Sequence, residues 1–271
     1  EGLSPSTNYQ FYVRSDCGDG EMSEWSMPYT FQTECEAFSV PFTENFDATP
    51  IDETPICWTV AGDYNDAFVK DWWSNSSPNS FYINKSSADN TLLSTPQIAD
   101  PLNTLRIKFW AVLSGGDDNQ LKIGTVTDPN DLATFEEIQT VTLTGSWQEY
   151  TVYLNEYTGT NEYIAFWYGD GENWGDIFID DVEVELIPDC AEPWNLFAEN
   201  ATTTSADLSW TEVGTAATWE IEYGEYGFGL GTGTVISVTE NPYTLEGLSP
   251  STNYQFYVRS DCGGGEMSEW S

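Results

Sequence analysis

EGLSPSTNYQFYVRSDCGGGEMSEWS, residues 246–271, is the stretch that decides how this chain is organised. Residues 1–26 read EGLSPSTNYQFYVRSDCGDGEMSEWS, so the two copies differ only at Asp19 and Gly264. They lie 245 positions apart. Identity this high over so long a stretch indicates a recent tandem duplication, and a fixed period is typical of repeat proteins. The sequence therefore predicts a slice of a long, repetitive protein with a period of 245 residues.

The composition indicates a packed, all-β protein. The chain has 12 Trp, 15 Tyr and 14 Phe among 271 residues, which is enough apolar surface for a core and argues against wholesale disorder. Gly, Thr, Ser and Asn are abundant, and no long apolar stretch follows a period of about 3.6 residues. At this length we expect two domains, together with fragments of others.

The charge excludes several classes of partner. There are 45 acidic and 7 basic residues, a net charge of −38. Binding to nucleic acid is excluded because it requires Lys and Arg to neutralise phosphates. An anionic membrane surface is disfavoured for the same reason, and we expect no direct membrane insertion. High salt or bound divalent cations would offset the self-repulsion, and a soluble, non-adhesive outer surface is the simpler explanation.

The repeat accounts for the odd number of cysteines. No C-x-x-C motif and no histidine occurs, which argues against a zinc site and against redox catalysis. Cys17 is the copy of Cys262, so its predicted partner is the counterpart of Cys190 in a preceding repeat. The remaining cysteines are then predicted to pair as Cys190–Cys262 and Cys35–Cys57. Disulfides imply an oxidising, extracellular setting.

Residues 189–271 alternate between apolar and polar side chains, as in 205–210, 219–223 and 254–258. Strands of period two separated by Gly, Asn and Pro turns predict a β-sandwich. The stretch resembles a fibronectin type III domain. The residues that carry the resemblance are Pro193, Leu196, Trp210 and the segment LSPSTNYQFYVRS at 248–260.

The resemblance has three implications for this domain. Leu248, Pro250 and Tyr254 match a tyrosine corner, in which the phenol oxygen bonds back to the chain ahead of its strand. Cys190–Cys262 is similar to the extra disulfide of bacterial surface versions. By the repeat, the final strand should read like SMPYTFQT at 26–33. Residues 1–34 are therefore predicted to be the last two strands of a preceding domain, and 189–271 a domain that lacks its final strand.

Residues 35–188 form a different predicted unit, a two-sheet jelly roll. The alternating segments are 104–113, 120–125, 137–143, 148–154, 163–168 and 176–186. The unit resembles the MAM-like, or cleaved-adhesin, jelly-roll modules of secreted Bacteroidota proteins. The matching motifs are CEAFSVPFTENFD at 35–47, CW at 57–58, DNTLLSTPQI at 89–98, SWQEYTVYL at 146–154 and IFIDDVEV at 177–184. In that group Cys35 and Cys57 would join the entry strand to the CW turn. Such modules occur in adhesins, proteases and polysaccharide-degrading enzymes, so the resemblance implies an architecture rather than a task.

A calcium site is the first candidate site. Ile177 and Ile179 have odd parity and Val182 even parity, which predicts a β-bulge at Asp180 and Asp181. In the jelly rolls that this unit resembles, the first and last strands pair and a calcium ion commonly lies between them. That resemblance implies acidic ligands, of which the first candidates are Glu44, Asp47 and Asp180. The secondary candidates are Asp181 and Asp89. Calcium takes about six to eight oxygen ligands. The alternative is that these acids are solvated.

Two acidic loops, 115–119 and 169–176, are weaker candidates for calcium, and a tight, solvated turn is the favoured alternative for each.

A carbohydrate platform is the third candidate. Its aromatic residues are Trp72, Trp73, Tyr82, Trp110 and Trp174, each near Asn or Asp. Trp72 and Trp73 are predicted to be exposed, because adjacent strand residues point to opposite faces and cannot both enter one core. The alternative is that most of these rings fill the sandwich.

Catalysis has little support in the sequence. The absence of histidine removes the commonest general base, and no nucleophile motif occurs, so we predict a protein that is not an enzyme.

We expect a repeat segment of an extracellular, cell-surface adhesin or fibre that acts by multivalent binding and as a stalk. Its expected partners are neighbouring repeats and surface glycans or polysaccharide, and the resemblance implies a gliding Bacteroidota that exports through the type IX route. The alternatives are the accessory carbohydrate-binding region of a secreted polysaccharide-degrading enzyme and a purely structural filament.

Overall fold

The computed structural model describes residues 2–62, 66–86, 89–169 and 173–271. These residues form 22 strands and two short 3-10 helices, Leu102–Thr104 and Leu132–Thr134, which confirms the all-β prediction. Within the described ranges, no helix has the length and hydropathy needed to cross a membrane. The chain divides into two compact units, Glu1–Leu186 and Ile187–Ser271. The three-part division at residues 34 and 188 remains a prediction.

The first 34 residues form two small antiparallel hairpins. Strand β1 (Asn8–Phe11) pairs with β4 (Tyr29–Gln32), so that Tyr9 lies opposite Phe31 and Phe11 opposite Tyr29. These four rings contact one another on a single face. Strands β2 (Asp16–Gly18) and β3 (Glu21–Met22) form the second hairpin.

The rest of the first unit is a sandwich of two antiparallel sheets. The first sheet has the order β13-β10-β15-β8-β7, with β5 also paired to β15, and the second has the order β12-β11-β14-β9-β6. The strands are β5 (Phe42–Glu44), β6 (Thr59–Gly62), β7 (Asp66–Lys70), β8 (Ser80–Lys85), β9 (Thr91–Ser94), β10 (Leu105–Gly116), β11 (Gln120–Val126), β12 (Glu136–Thr142), β13 (Gln148–Tyr153), β14 (Tyr163–Tyr168) and β15 (Gly175–Leu186). The six predicted segments coincide with β10–β15.

Side chains of alternate parity fill the space between the two sheets. Phe109 of the first sheet meets Phe166 of the second edge to face, with ring centroids 5.0 Å apart. Both rings are fully buried, and each contributes about 1.5–3 kcal/mol by leaving water. The disulfide Cys35–Cys57 is the predicted pair, and Trp58, which follows it, packs against Phe46 in the same core.

A β-bulge interrupts the longest strand pair. Lys108 lies opposite Glu183 and Trp110 opposite Asp180, so two residues of β15 oppose the single residue Phe109 of β10. Asp181 occupies the bulge with φ of 48°. The change of parity in the sequence therefore predicted the bulge correctly. Because of it, both the odd residues before it and the even residues after it point into the core.

The second unit is a smaller sandwich. Its two sheets have the orders β16-β17-β20 and β19-β18-β21-β22. The strands are β16 (Trp194–Glu199), β17 (Ser205–Thr211), β18 (Thr218–Glu225), β19 (Thr234–Val238), β20 (Tyr243–Glu246), β21 (Tyr254–Gly263) and β22 (Glu266–Met267). Trp210 and Trp219 pack across the core with ring centroids 5.3 Å apart. The disulfide Cys190–Cys262 is the second predicted pair.

The predicted tyrosine corner is present in both copies of the repeated stretch. The backbone N–H of Ser249 donates to the phenol oxygen of Tyr254 at 3.0 Å. The N–H of Ser4 donates to Tyr9 in the same way at 2.7 Å. The repeated sequence therefore specifies the same local fold in both places.

Candidate functional site

A connected row of aromatic rings covers the outer face of the first sheet of the jelly roll. Tyr82 of β8 and Phe178 of β15 point away from the core, and their ring centroids are 5.0 Å apart. Trp72 packs on Tyr82 at 5.5 Å, and Trp73 packs on Phe178 at 5.9 Å. Trp147 continues the row beyond Trp73 at 6.0 Å. We call these five rings the aromatic row.

Trp72 and Trp73 form the exposed surface of the aromatic row. They are 65% and 38% exposed, whereas Tyr82 beneath them is buried. Both residues lie in the bend between β7 and β8, so the strand alternation that we used to predict their exposure does not apply. Their exposure is as predicted, but for a different reason, and both rings reach the same face instead of opposite ones.

Lys70 fixes the orientation of Trp72. Its ammonium group lies 4.5 Å from the Trp72 ring centroid and 4.3 Å from that of Phe68, which are cation–π distances. The same ammonium group forms an ion pair with Asp52. Trp72 is thus held between Tyr82 and Lys70, and a ring that is already held loses little conformational entropy when a ligand stacks on it.

Polar groups lie beside the aromatic row at Asp176. The Tyr82 hydroxyl donates to Asp176 Oδ1 at 2.9 Å, and the Asn84 side-chain amide donates to the same oxygen. Burial, followed by the Asp176 carboxylate, raises the pKa of Tyr82, so this hydroxyl stays a donor at all ordinary pH values. Among the described residues, both of these donors bond to Oδ1 and none bonds to Oδ2, which is therefore a further acceptor on this face.

Trp174 lies at the same edge of the sheet as Asp176. A β-carbon added to Gly115 would lie 3.2 Å from Asp176 Oδ2 and 3.5 Å from the Trp174 ring. The indole therefore covers Gly115, and its outer side is exposed. Trp110 is half-buried on β10, opposite Glu149 of β13, and lies outside the aromatic row.

The structure thus brings Trp72, Trp73, Tyr82 and Trp174 to one face. Sequence reasoning missed Phe178, Trp147 and Asp176. The signal for Asp176 and Phe178 was available, since Ile177 and Ile179 were assigned to the core and their even-numbered neighbours must point outward.

The predicted calcium ligands Asp180 and Asp181 lie together at the bulge. Asp180 is fully buried, and its Oδ2 accepts from the backbone N–H groups of Asn75 at 2.8 Å and Ser76 at 3.0 Å. Asp181 accepts from the Ser76 hydroxyl at 2.6 Å and from the Asn75 amide at 2.8 Å. Burial and the negative charge of Asp181 raise the pKa of Asp180 to about 7. The charged form of Asp180 is therefore energetically unfavourable at this position unless a cation neutralises it.

Glu44 and Asp47 form a second pair of acids in the entry strand region. Glu44 lies opposite Val182 of β15, which confirms the expected pairing of first and last strands. Burial raises the pKa of Glu44, and the charge of Asp47 adds to that effect. Asp47 accepts from the N–H of Asn79 at 3.0 Å, so both acidic pairs are bonded to the segment that leads into β8.

Asp89 lies elsewhere. It bonds to Ser86, beyond the opposite end of β8, so the structure does not bring it to the other predicted ligands. Among the residues that the structure describes, no group of three or more His, Cys, Asp or Glu side chains converges as a metal site. A calcium ion here would therefore need backbone carbonyl and amide oxygens beside one or two carboxylates.

The acidic loop at 115–119 is not simply a solvated turn. Asp118 is buried and forms an ion pair of 2.8 Å with the buried Lys85, so its carboxylate neutralises a buried ammonium group. In the other loop, Asp170, Gly171 and Glu172 lie outside the described residues.

A comparison with known protein families gives a match within the second of the two units. Residues 191–271 match the Fibronectin type III domain family. The matched segment lies within the second unit and contains the tyrosine corner at Tyr254. No significant match is found among the curated proteins.

Solved structures resemble the chain at low similarity. The K2 cleaved adhesin domain of Lys-gingipain has 17% identity over 54% of this chain and 98% of its own length, with a TM-score of 0.45. The K1 cleaved adhesin domain of Lys-gingipain from Porphyromonas gingivalis has the same identity and coverage and a TM-score of 0.43. A tandem family 22 carbohydrate-binding domain of Paenibacillus barcinonensis Xyn10C has 11% identity over 84% of this chain and 91% of its own, with a TM-score of 0.39. Likenesses this weak carry no functional argument for this chain.

Proposed function

We propose that the outer face of the jelly roll binds a carbohydrate chain. The observation that carries the proposal is the exposure of Trp72 and Trp73 on one sheet face, each packed on a ring beneath it. The apolar C–H side of a sugar ring stacks on the electron-rich face of an indole. Asp176 Oδ2 offers an acceptor for a sugar hydroxyl beside the rings.

The test is the binding of soluble polysaccharides by affinity electrophoresis, with xylan, mannan, mixed-linkage β-glucan and galactan as probes. We expect at least one probe to retard the protein. The double variant Trp72→Ala/Trp73→Ala should bind that probe about 5- to 150-fold more weakly, because two lost stacking contacts remove about 1–3 kcal/mol.

Tyr226→Ala is the matched control, since Tyr226 is an exposed aromatic residue of the other unit. It should bind like the parent protein. The proposal is wrong if no probe retards the parent protein, or if the double variant is retarded to the same extent.

We propose further that the chain is a non-catalytic repeat segment of an extracellular, cell-surface adhesin or fibre. The near-identical copies at 1–26 and 246–271 and the two disulfides support this. Several weak sites on one chain bind a surface more tightly than a single site does, through their high effective concentration. A source among gliding Bacteroidota that use type IX secretion belongs to the same proposal.

The sequence of the parent gene separates this proposal from its alternatives. Many tandem copies of the 245-residue period would support the adhesin or fibre. One or two copies beside a catalytic domain would support an accessory region of a polysaccharide-degrading enzyme instead. Many copies together with a failure to bind any glycan would support a purely structural filament.

A calcium ion at the bulge is a second proposal. It is favoured by the fully buried Asp180, whose charged form is opposed by burial and by Asp181. A divalent cation supplies the missing positive charge, and carboxylate and amide oxygens are its preferred ligands. Asp180 and Asp181 would hold the ion, with Glu44 and Asp47 adding negative charge from the paired entry strand.

A further inference from the structure

The bend between β7 and β8, residues 71–79, carries both exposed indoles of the aromatic row. Trp72 and Trp73 lie near its start, and Asn75 and Ser76 follow them closely. A segment outside the strands has no repeating backbone ladder of its own. The conformation of the bend, and with it the position of the two indoles, therefore depends on the contacts that the bend makes with the sheet.

Strand β15 supplies these contacts from successive outward positions. The isoleucines on either side of Phe178 point into the core, so Phe178 and Asp180 point out of the sheet. The Phe178 ring lies beneath Trp73, with ring centroids 5.9 Å apart. Asp180 is fully buried, and its Oδ2 accepts from the backbone N–H groups of Asn75 at 2.8 Å and Ser76 at 3.0 Å. One strand thus supports both an indole and the backbone of the bend that carries it.

The β-bulge brings a second carboxylate to the same residues of the bend. In a regular strand, the side chains of Asp180 and Asp181 would point to opposite faces. In the bulge, Asp181 instead accepts from the Ser76 hydroxyl at 2.6 Å and from the Asn75 side-chain amide at 2.8 Å. A bulge often re-aims a side chain beside a functional site. Here it lets two neighbouring acids bond to the same two residues.

The bend closes back on itself beside these bonds. The fully buried Ser80, the first residue of β8, donates its hydroxyl to the backbone carbonyl of Trp73 at 2.7 Å. For this bond to form, the chain between Trp73 and Ser80 must fold back over the sheet. The bonds from Asn75 and Ser76 to the two acids hold it in that folded arrangement.

We propose that Asp180 and Asp181 are positioning residues for carbohydrate binding, which hold the bend in the conformation that brings Trp72 and Trp73 to one face. The inference rests on the proposed carbohydrate-binding function and deepens it, and it requires no bound cation. When these bonds are lost, fewer molecules hold the binding conformation. The apparent affinity falls in proportion to the fraction that does.

The test variant is Asp181→Gly, studied in EDTA. It removes the carboxylate, and glycine suits the φ of 48°, so the bulge is kept. In affinity electrophoresis, it should bind the polysaccharide that retards the parent protein about fivefold or more weakly, because two hydrogen bonds to a charged group are lost. Glu183→Gln is the matched control. It removes one negative charge from the same strand, opposite Thr43 of β5, and should bind like the parent protein.

A second variant shows whether the effect passes through the bond to the bend. Ser76→Ala removes the hydroxyl that donates to Asp181 and should weaken binding in the parent protein. In the Asp181→Gly background the same change should have no further effect, because the bond is already absent. Two independent structural defects would instead add.

Fluorine NMR of the protein labelled with 5-fluorotryptophan follows the indoles without any sugar present. Single Trp→Phe variants assign the resonances of Trp72, Trp73 and Trp58. Those of Trp72 and Trp73 should move in Asp181→Gly and stay in place in Glu183→Gln. The resonance of Trp58, which lies in the jelly-roll core, should stay in place in both, which shows that the fold is kept.

The outcomes separate this inference from the function on which it rests. A parent protein that binds none of the polysaccharides would overturn the proposed function and this inference with it. A parent protein that binds, together with equal binding by Asp181→Gly or unmoved resonances of Trp72 and Trp73, would overturn this inference alone. Additive effects of Ser76→Ala and Asp181→Gly would overturn it as well.

Discussion

In the folded protein, the Asp180 carboxylate is neutralised either by a bound proton or by a nearby cation. It is fully buried, it accepts three backbone N–H groups, and its neighbour Asp181 is also negative. The hydrogen bonds favour the carboxylate, but burial and Asp181 outweigh them and raise its pKa to about 7 from 3.8. The folded protein therefore holds a proton at Asp180 more tightly than the unfolded chain does.

The stability of the jelly roll in EDTA should consequently fall as pH rises from about 4 to 7. Below pH 3.8 both states hold the proton and nothing is lost; above about 7 the loss is complete. Three pH units at 1.36 kcal/mol each give an upper value of about 4 kcal/mol. Urea unfolding at a series of pH values measures this slope, and calcium added at pH 8 should restore much of the lost stability.

The variant Asp180→Asn should flatten the slope and abolish the calcium effect, whatever its absolute stability. Asp89→Asn, at an acid beyond the other end of β8, should change neither. An equal slope in Asp180→Asn would show that this carboxyl is not the group that titrates. A midpoint indifferent to calcium at pH 8 would remove the proposed ion.

At the scale of the element, β15 depends on its bulge. Ile177 and Ile179 before the bulge, and Val182 and Val184 after it, all enter one core. A regular strand cannot do this, because side chains alternate with a period of two. The extra residue, Asp181, adopts a positive φ and shifts the alternation by one position, so that the side chains before and after it face the same core.

Deletion of Asp181 should therefore cost several kcal/mol. It restores a regular strand, so either the isoleucines or the valines must turn to solvent, and each buried aliphatic chain is worth about 1.5–3 kcal/mol. Asp181→Gly keeps the extra residue and suits its φ of 48°, so in EDTA it should lose only the hydrogen bonds from Ser76 and Asn75 and be destabilised much less than the deletion variant. Denaturant midpoints compare the two; a deletion variant as stable as Asp181→Gly would contradict the role of the bulge.

How much the sequence could predict depends on whether the signal was local. The bulge and the strands β10–β15 follow from parity and turn residues within short windows, whereas the tyrosine corner was implied by the resemblance of residues 248–260 to a fibronectin type III domain. The ion pair of Lys85 with Asp118 could not be predicted, because it joins the last residue of β8 to the loop between β10 and β11, and these come together only in the folded protein. Trp72 and Trp73 were recognised as exposed, but their convergence on one face depends on a bend that no periodicity describes.

At the scale of the whole molecule, the net charge of −38 opposes compactness. Few of these acids have a basic partner available, because the chain has only 7 Lys and Arg. Added salt shortens the Debye length from about 30 Å at 0.01 M to about 8 Å at 0.15 M and screens the repulsion.

We therefore expect the melting temperature of the chain to rise by several degrees between 0.01 M and 0.5 M NaCl, measured by calorimetry in EDTA. Choline chloride at equal ionic strength is the control for specific ion binding and should act in the same way. A melting temperature that falls or stays constant with ionic strength would show that long-range repulsion is not significant in this fold.

The Cys190–Cys262 disulfide determines how the second unit responds to tension. Its two cysteines are 72 positions apart in the sequence, and their Cα atoms are 5.8 Å apart. A pull along the chain is carried across the S–S bond, so the residues between the cysteines cannot be drawn out while it is intact. At about 3.4 Å per residue, roughly 240 Å of contour length stays locked. An oxidised unit is therefore nearly inextensible under load, and reduction of this one bond would turn it into a long, compliant tether.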